Sequence, residues 1–220
     1  MLLDRFMRRR GWPSTLALLV ICVFGTGMAA AQLPPGASGS SSLEIVDDEE
    51  AFRALSAFGA CFASRKTDEA LALIATVPGT RGEAETSRRR IRRPAIVCLG
   101  GNSQFRMPMY MMRGAIAEGL YRRGVALPPD LALAAPPPGA PTRTLAEAAR
   151  CYTAGHRDEV RALIDQTRIG SREEYERLRE MAPAFFTCLP ERARGGQVIA
   201  AQVRGHLAEA LYRMPTPAGN

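Results

Sequence analysis

Arginine, glutamate and tyrosine recur at matched spacing in two stretches of the chain. RGAIAEGLYRR (113–123) and RGHLAEALYRM (204–214) are identical at seven of eleven positions. Such a repeat could be a catalytic signature, a ligand-binding helix or a packing unit. On a helical wheel Ile116, Ala117, Leu120 and Tyr121 share one arc, as do Leu207, Ala208, Leu211 and Tyr212. Gly114 and Gly205 lie at the edge of that arc. A helical glycine costs about 1 kcal/mol relative to alanine, so its recurrence implies close approach of a neighbouring helix or disulfide. Glu118–Arg122 and Glu209–Arg213 are four apart with the acid first, the favourable order for an exposed helical pair worth about 0.3–0.5 kcal/mol. Arg113 and Arg204 fall on the apolar side, where a guanidinium must find a partner or reach solvent. The recurring acidic pairs are the expected partners: Asp68 or Glu69 for Arg113, and Asp158 or Glu159 for Arg204. Anion binding is the functional alternative, but one arginine per stretch supplies too few converging donors.

Sulfur chemistry is the second candidate. Cys61 and Cys98 are 37 apart, and so are Cys151 and Cys188. In an exported chain this spacing points to disulfides Cys61–Cys98 and Cys151–Cys188. Met107, Met109, Met111 and Met112 could bind Cu(I), although methionines opening an amphipathic helix more often fill core space. His156 and His206 stand in no metal-ligand spacing and read as surface residues. No G-x-S-x-G, phosphate-binding glycine loop or HExxH motif occurs. No catalytic residue, metal or cofactor is therefore assigned. RRRIRR places Arg88, Arg89, Arg90, Arg92 and Arg93 in one run, either a solvated helix end or a patch for an anionic envelope surface.

The elements that must position these residues come in two sets. At an offset of 90, CFASRKTDEALALI (61–74) meets CYTAGHRDEVRALI (151–164), and the opening motif repeats at an offset of 91. The chain reads as a tandem duplication. Apolar spacing of three and four, the boxes Thr80-x-x-Glu83 and Ser171-x-x-Glu174, and breaks at Pro94 and Pro183 predict about four helices per unit. The expected fold is all-α: two homologous helical units, each stapled by one disulfide.

The ends complete the plan. Arg5, Arg8, Arg9 and Arg10, an apolar run from Leu16 to Phe24, and Ala29-Ala30-Ala31 mark residues 1–31 as a cleaved export signal. Residues 32–43 form a flexible leader, 44–126 the first unit, 127–142 a Pro-rich linker, 143–214 the second unit and 215–220 a tail. Removing the signal lowers the net charge from +7 to +4, which weakens any case for a nucleic-acid partner. No segment of the mature chain reads as membrane-spanning. The expectation is a periplasmic or secreted, non-catalytic scaffold or binding module whose partner is an envelope protein or an anionic surface. The alternatives are a small enzyme or enzyme accessory with a polar site between the copies, and a binder of anionic surfaces through Arg88–Arg93.

Overall fold

Phe52, Leu55, Phe58 and Phe62 recur at helical spacing, and all four are buried along one face of α1 (Glu49–Arg65). The computed structural model describes residues 42–44, 49–99, 108–137, 139–190 and 197–214. The expected signal, residues 32–41 of the leader, the tail and Met107 lie outside the described residues. After Lys66 the chain turns into α2 (Thr67–Ile74). Thr80 then caps α3 (Arg81–Thr86) by accepting the Glu83 N–H. α3 runs through a π-helical turn, Ser87–Ile91, into α4 (Arg92–Cys98), and α5 (Met109–Arg122) closes the N-terminal half. The C-terminal half follows the same order in α6 (Leu145–Gly155), α7 (Arg157–Gln166), α8 (Arg172–Thr187) and α9 (Ala200–Arg213). α6 begins with a full capping box, Thr144 and Glu147, that the sequence reading passed over.

Among the described residues the architecture is helical apart from one short parallel pair, β1 (Ser42–Glu44) with β2 (Gln197–Ile199). It takes two residues from the expected leader. Pro183 does not break its helix: α8 continues through it to Thr187. The residue is exposed, so the carbonyl it frees one turn earlier faces solvent. Pro94 lies in the first turn of α4, where the π-helical turn already makes the helix irregular.

Cys61 is bonded to Cys98, tying α1 to the end of α4, and Cys151 is bonded to Cys188, tying α6 to the end of α8. Each closes a separation of 37 residues, a loop length that stabilises by roughly 3–4 kcal/mol in the chain-entropy account. No helix among the described residues is long and apolar enough to cross a membrane.

Each half has its own apolar core, and the two meet where α5 packs on α9. Tyr212 of α9 packs into the N-terminal core, and Tyr121 of α5 touches both. The Pro-rich linker docks instead of holding the halves apart: Leu133 N–H donates to the Arg213 carbonyl at 2.8 Å, and the Thr142 hydroxyl donates to the Cys188 carbonyl. The α5–α9 crossing is backbone on backbone. A Cβ added to Gly114 would lie 2.4 Å from the Gly205 Cα. The close neighbour that the recurring glycines imply is therefore each other.

Gly114→Val is expected to destabilise by about 2 kcal/mol or more through overpacking. Gly82→Ala, whose added Cβ would come no nearer than 3.7 Å to the Thr80 hydroxyl, should be neutral or stabilising by up to about 1 kcal/mol. Urea unfolding midpoints of the two variants test the contrast. Equal effects would mean that the crossing tolerates a side chain.

Candidate functional site

Arg113 leaves α5 at the crossing and reaches the C-terminal end of α2. Its Nη1 donates to the Leu73 carbonyl at 2.8 Å, to the Thr76 hydroxyl at 2.9 Å and to Glu83 Oε1 at 3.2 Å. Nη2 donates to the carbonyls of Ile74 and Thr76 at 3.0 and 2.8 Å. The remaining edge forks onto Glu209 of α9, with Nε to Oε2 and Nη2 to Oε1 both at 2.6 Å. Arg204 repeats the set from α9. It meets the carbonyls of Leu163, Ile164 and Thr167, the Thr167 hydroxyl and Glu174, and it forks onto Glu118 of α5 at 2.8 Å on both edges. Each arginine thus caps a helix in its own half and grips a carboxylate from the other half.

This overturns the expected pairing with the acidic doublets. Asp68 and Glu69 sit in the first turn of α2, whereas Arg113 binds that helix at its other end, where free carbonyls and the negative end of the dipole attract a cation. Asp158 instead pairs with Arg161 at 3.3 Å, and Glu159 accepts from Tyr152 at 2.7 Å and meets His156 Nδ1 at 3.0 Å. Glu118 and Glu209 do meet Arg122 and Arg213, at 2.9 and 3.1 Å, but they are not surface residues. They are buried, and both oxygens of each accept from the opposite arginine, one oxygen being shared with the arginine of its own helix.

Sequence reasoning missed Glu83 and Glu174. Their recurrence at the third residue of α3 and α8 was taken for capping alone. One oxygen of each does accept the N–H of a turn glycine, Gly79 or Gly170, and the other faces the arginine. Arg113 is 1 % exposed and Arg204 0 %. Every guanidinium proton is matched by an acceptor, which leaves none for a substrate. Burial would lower the Arg113 and Arg204 pKa values, but the bonds and charges of Glu209 and Glu83, and of Glu118 and Glu174, hold both above the ordinary value. Burial would likewise raise the Glu209 carboxyl, yet bonds from Arg113 and Arg213 hold it below the usual range. In Glu174 burial prevails, and the carboxyl is raised despite Arg204 and the Gly170 N–H.

The surroundings of the two arginines differ. A Cβ added at Gly170 would strike the Phe52 ring at 2.4 Å, whereas one at Gly79, in the matching turn, would meet nothing within 4 Å. At the matching offset Phe52 falls on Thr142, which turns to Cys188 instead. Gly59 and Gly119 let α1 and α5 touch, with a Cβ at Gly59 falling 2.1 Å from the Ala115 carbonyl oxygen. The residues of α6 and α9 that match Gly59, Gly119 and Ala115 are Ala149, Ala210 and His206. With these larger side chains α6 still packs on α9, and a cavity of about 580 Å³ opens beside Arg113, walled by residues 75–79 and the start of α6. Val77, Met109, Leu133 and Leu145 supply apolar wall, while Tyr110, Arg150, Gln202 and His206 supply polar groups.

His206 is thus a cavity residue and not the surface residue its spacing suggested. Burial lowers its pKa, Glu209 and Glu83 oppose that and Arg113 reinforces it, so the imidazole is neutral near pH 7. His156 stacks on Tyr152 with ring centroids 4.4 Å apart. Met109, Met111 and Met112 are half-buried against the N-terminal core. Among the described residues no group of three or more His, Cys, Asp or Glu side chains could hold a metal. Arg88, Arg89, Arg90, Arg92 and Arg93 are all exposed on the far side of α3 and α4 from the buried Ser87, Ile91 and Ala95. No protein-family model, curated protein or solved structure matches this chain.

Arg113→Met leaves the buried Glu83 with only the Gly79 N–H and Glu209 with only Arg213, and should cost about 3–5 kcal/mol, whereas Arg113→Met with Glu209→Gln should cost less than the sum of the two single changes. Because the folded Glu209 pKa is depressed, its contribution is full above the ordinary value of 4.5 and is lost as pH falls through the folded value. Denaturation between neutral pH and strong acid should show a drop below pH 4.5 that shrinks in Glu209→Gln. Additive single changes would show that the fork carries no coupling.

Proposed function

We propose that this chain is an exported, non-catalytic helical binding module of the bacterial cell envelope, built from two copies of one disulfide-stapled unit. The cavity beside Arg113 is the place where it takes a ligand. The N-terminal signal pattern supports export, and two disulfides suit an oxidising compartment. The recurrence of the arginine contacts at offsets of 90 and 91 supports the duplication, since Leu73, Thr76, Glu83 and Arg113 correspond to Leu163, Thr167, Glu174 and Arg204.

One observation carries the non-catalytic part: the two recurring arginines, the strongest candidates for substrate binding, are buried and saturated by the protein itself. An enzyme with a site between the copies would need these groups open to solvent. The binding part rests on the cavity. Its volume falls within the usual range for small-molecule sites, roughly 300–1,000 Å³, and its walls are mainly apolar with a few polar groups. Arg150 at its wall has no carboxylate partner among the described residues, so a ligand with an apolar body and one acidic head group suits the cavity.

Calorimetric titration with pyrenebutyrate, an apolar carboxylate, tests this. The expected result is saturable binding at one site per chain. Ala146→Trp, which puts an indole into the cavity from α6, should weaken it at least tenfold, and Arg150→Gln several-fold. Absence of binding, or unchanged affinity in Ala146→Trp, would remove the cavity as the site.

A further inference from the structure

The matched helices of the two halves differ by one residue, and the difference falls within the arginine run. In α8 the buried residues Glu174, Leu178, Met181 and Phe185 are spaced by four, three and four, an ordinary α-helical rhythm. In the N-terminal half the buried residues are Glu83, Ser87, Ile91 and Ala95, spaced by four throughout. An α-helix cannot keep a repeat of four on one face, and the π-helical turn Ser87–Ile91 absorbs the extra residue.

The wider turn aligns the outward residues. Arg88, Arg92 and Ile96 form one row along the exposed side, and Arg89, Arg93 and Val97 form the next, with Arg90 exposed beside them. Ile96 and Val97 are 53 % and 55 % exposed, large apolar side chains in water at the C-terminal end of α4. Of the arginines only Arg89 has a carboxylate among the described residues, Glu85 at 2.7 Å, in a solvent-exposed pair of little strength. Arg88, Arg90, Arg92 and Arg93 have none. The C-terminal half has nothing comparable: Arg179 corresponds to Arg88, and Glu180 follows it. The disulfide Cys61–Cys98 fastens the end of α4 to α1, so the strip is held on a rigid element.

We infer that the strip Arg88, Arg89, Arg90, Arg92, Arg93, Ile96 and Val97 docks the protein on an anionic lipid bilayer, with the guanidinium groups at the phosphates and Ile96 and Val97 entering the headgroup boundary. Charge complementarity selects an anionic surface. The exposed Ile96 and Val97 select lipid over a polysaccharide or nucleic acid, which would offer them no apolar medium. The inference is independent of the cavity and of any ligand bound there.

Co-sedimentation of the purified, oxidised protein with vesicles tests it. Binding is expected to phosphatidylglycerol vesicles and not to phosphatidylcholine vesicles, and it should fall steeply as salt rises. Arg90→Gln and Arg93→Gln should each lower the partition constant about fivefold. Ile96→Ser with Val97→Ser should also lower it at least fivefold at unchanged charge, while Arg179→Gln leaves it unaltered. All these side chains are exposed, and circular dichroism checks that each variant stays folded. Three results would overturn the inference: no binding to phosphatidylglycerol, an equal loss in Arg179→Gln, or full binding by the Ile96/Val97 variant. Heparin binding that matches phosphatidylglycerol binding and ignores Ile96 and Val97 would assign the strip to a soluble polyanion instead.

Discussion

Two helices cross with no side chain between them, and at that contact they exchange carboxylates. Arg113 from α5 forks onto Glu209 of α9, and Arg204 from α9 forks onto Glu118 of α5. Both guanidinium groups are removed from water, which is tolerable only because each is fully bonded. The same two groups close the ends of α2 and α7 through main-chain carbonyls. Packing within each half is therefore tied to packing between the halves. A missing carboxylate in one half would leave a buried cation in the other. Arg122 and Arg213 balance the charge, so that each site holds two arginines and two glutamates.

Against that nearly symmetric centre, a few substitutions set the two flanks apart. Glycines at 59 and 119 bring α1 onto α5, and Phe52 covers the turn at Gly170. The matching positions hold Ala149, Ala210, His206 and Thr142, and the matching turn at Gly79 remains open. The differences are Ala for Gly at two positions, His for Ala at a third and Thr for Phe at a fourth, and helices that meet through glycine have little slack to absorb added side chains. The cavity opens on this flank, and its polar groups are the already satisfied arginine cluster together with Tyr110, Arg150, Gln202 and His206. The inserted residue in α3–α4 works in the same way on the outer surface. It leaves the core contacts in place and re-aims the arginines.

Much of the plan was legible in residues and spacing. The cysteine spacing of 37 in each half pointed to the bonds Cys61–Cys98 and Cys151–Cys188, and periodic apolar residues marked most helices. The recurring glycine signalled a close neighbour without naming it. Where the reading went astray, it relied on nearness along the chain. Asp68 and Glu69 recur within a conspicuous motif, but they lie at the wrong end of α2 to meet Arg113. Glu118 and Arg122 looked like a surface pair because that spacing is common on exposed helices. Nothing local reveals that a second helix covers them. His206 looked exposed because its own helix face gives no hint of the cavity it lines.

By itself, then, the sequence determined the helical class, the disulfide-ready cysteines, the recurring motif and the likeness of its two halves. These follow from periodicity and spacing, which a linear chain carries openly. Tertiary structure alone decided which carboxylate each arginine grips, that the halves share one interface, and that a cavity opens beside Arg113. Those outcomes depend on how closely two backbones approach, a distance fixed by pairs of residues some ninety positions apart.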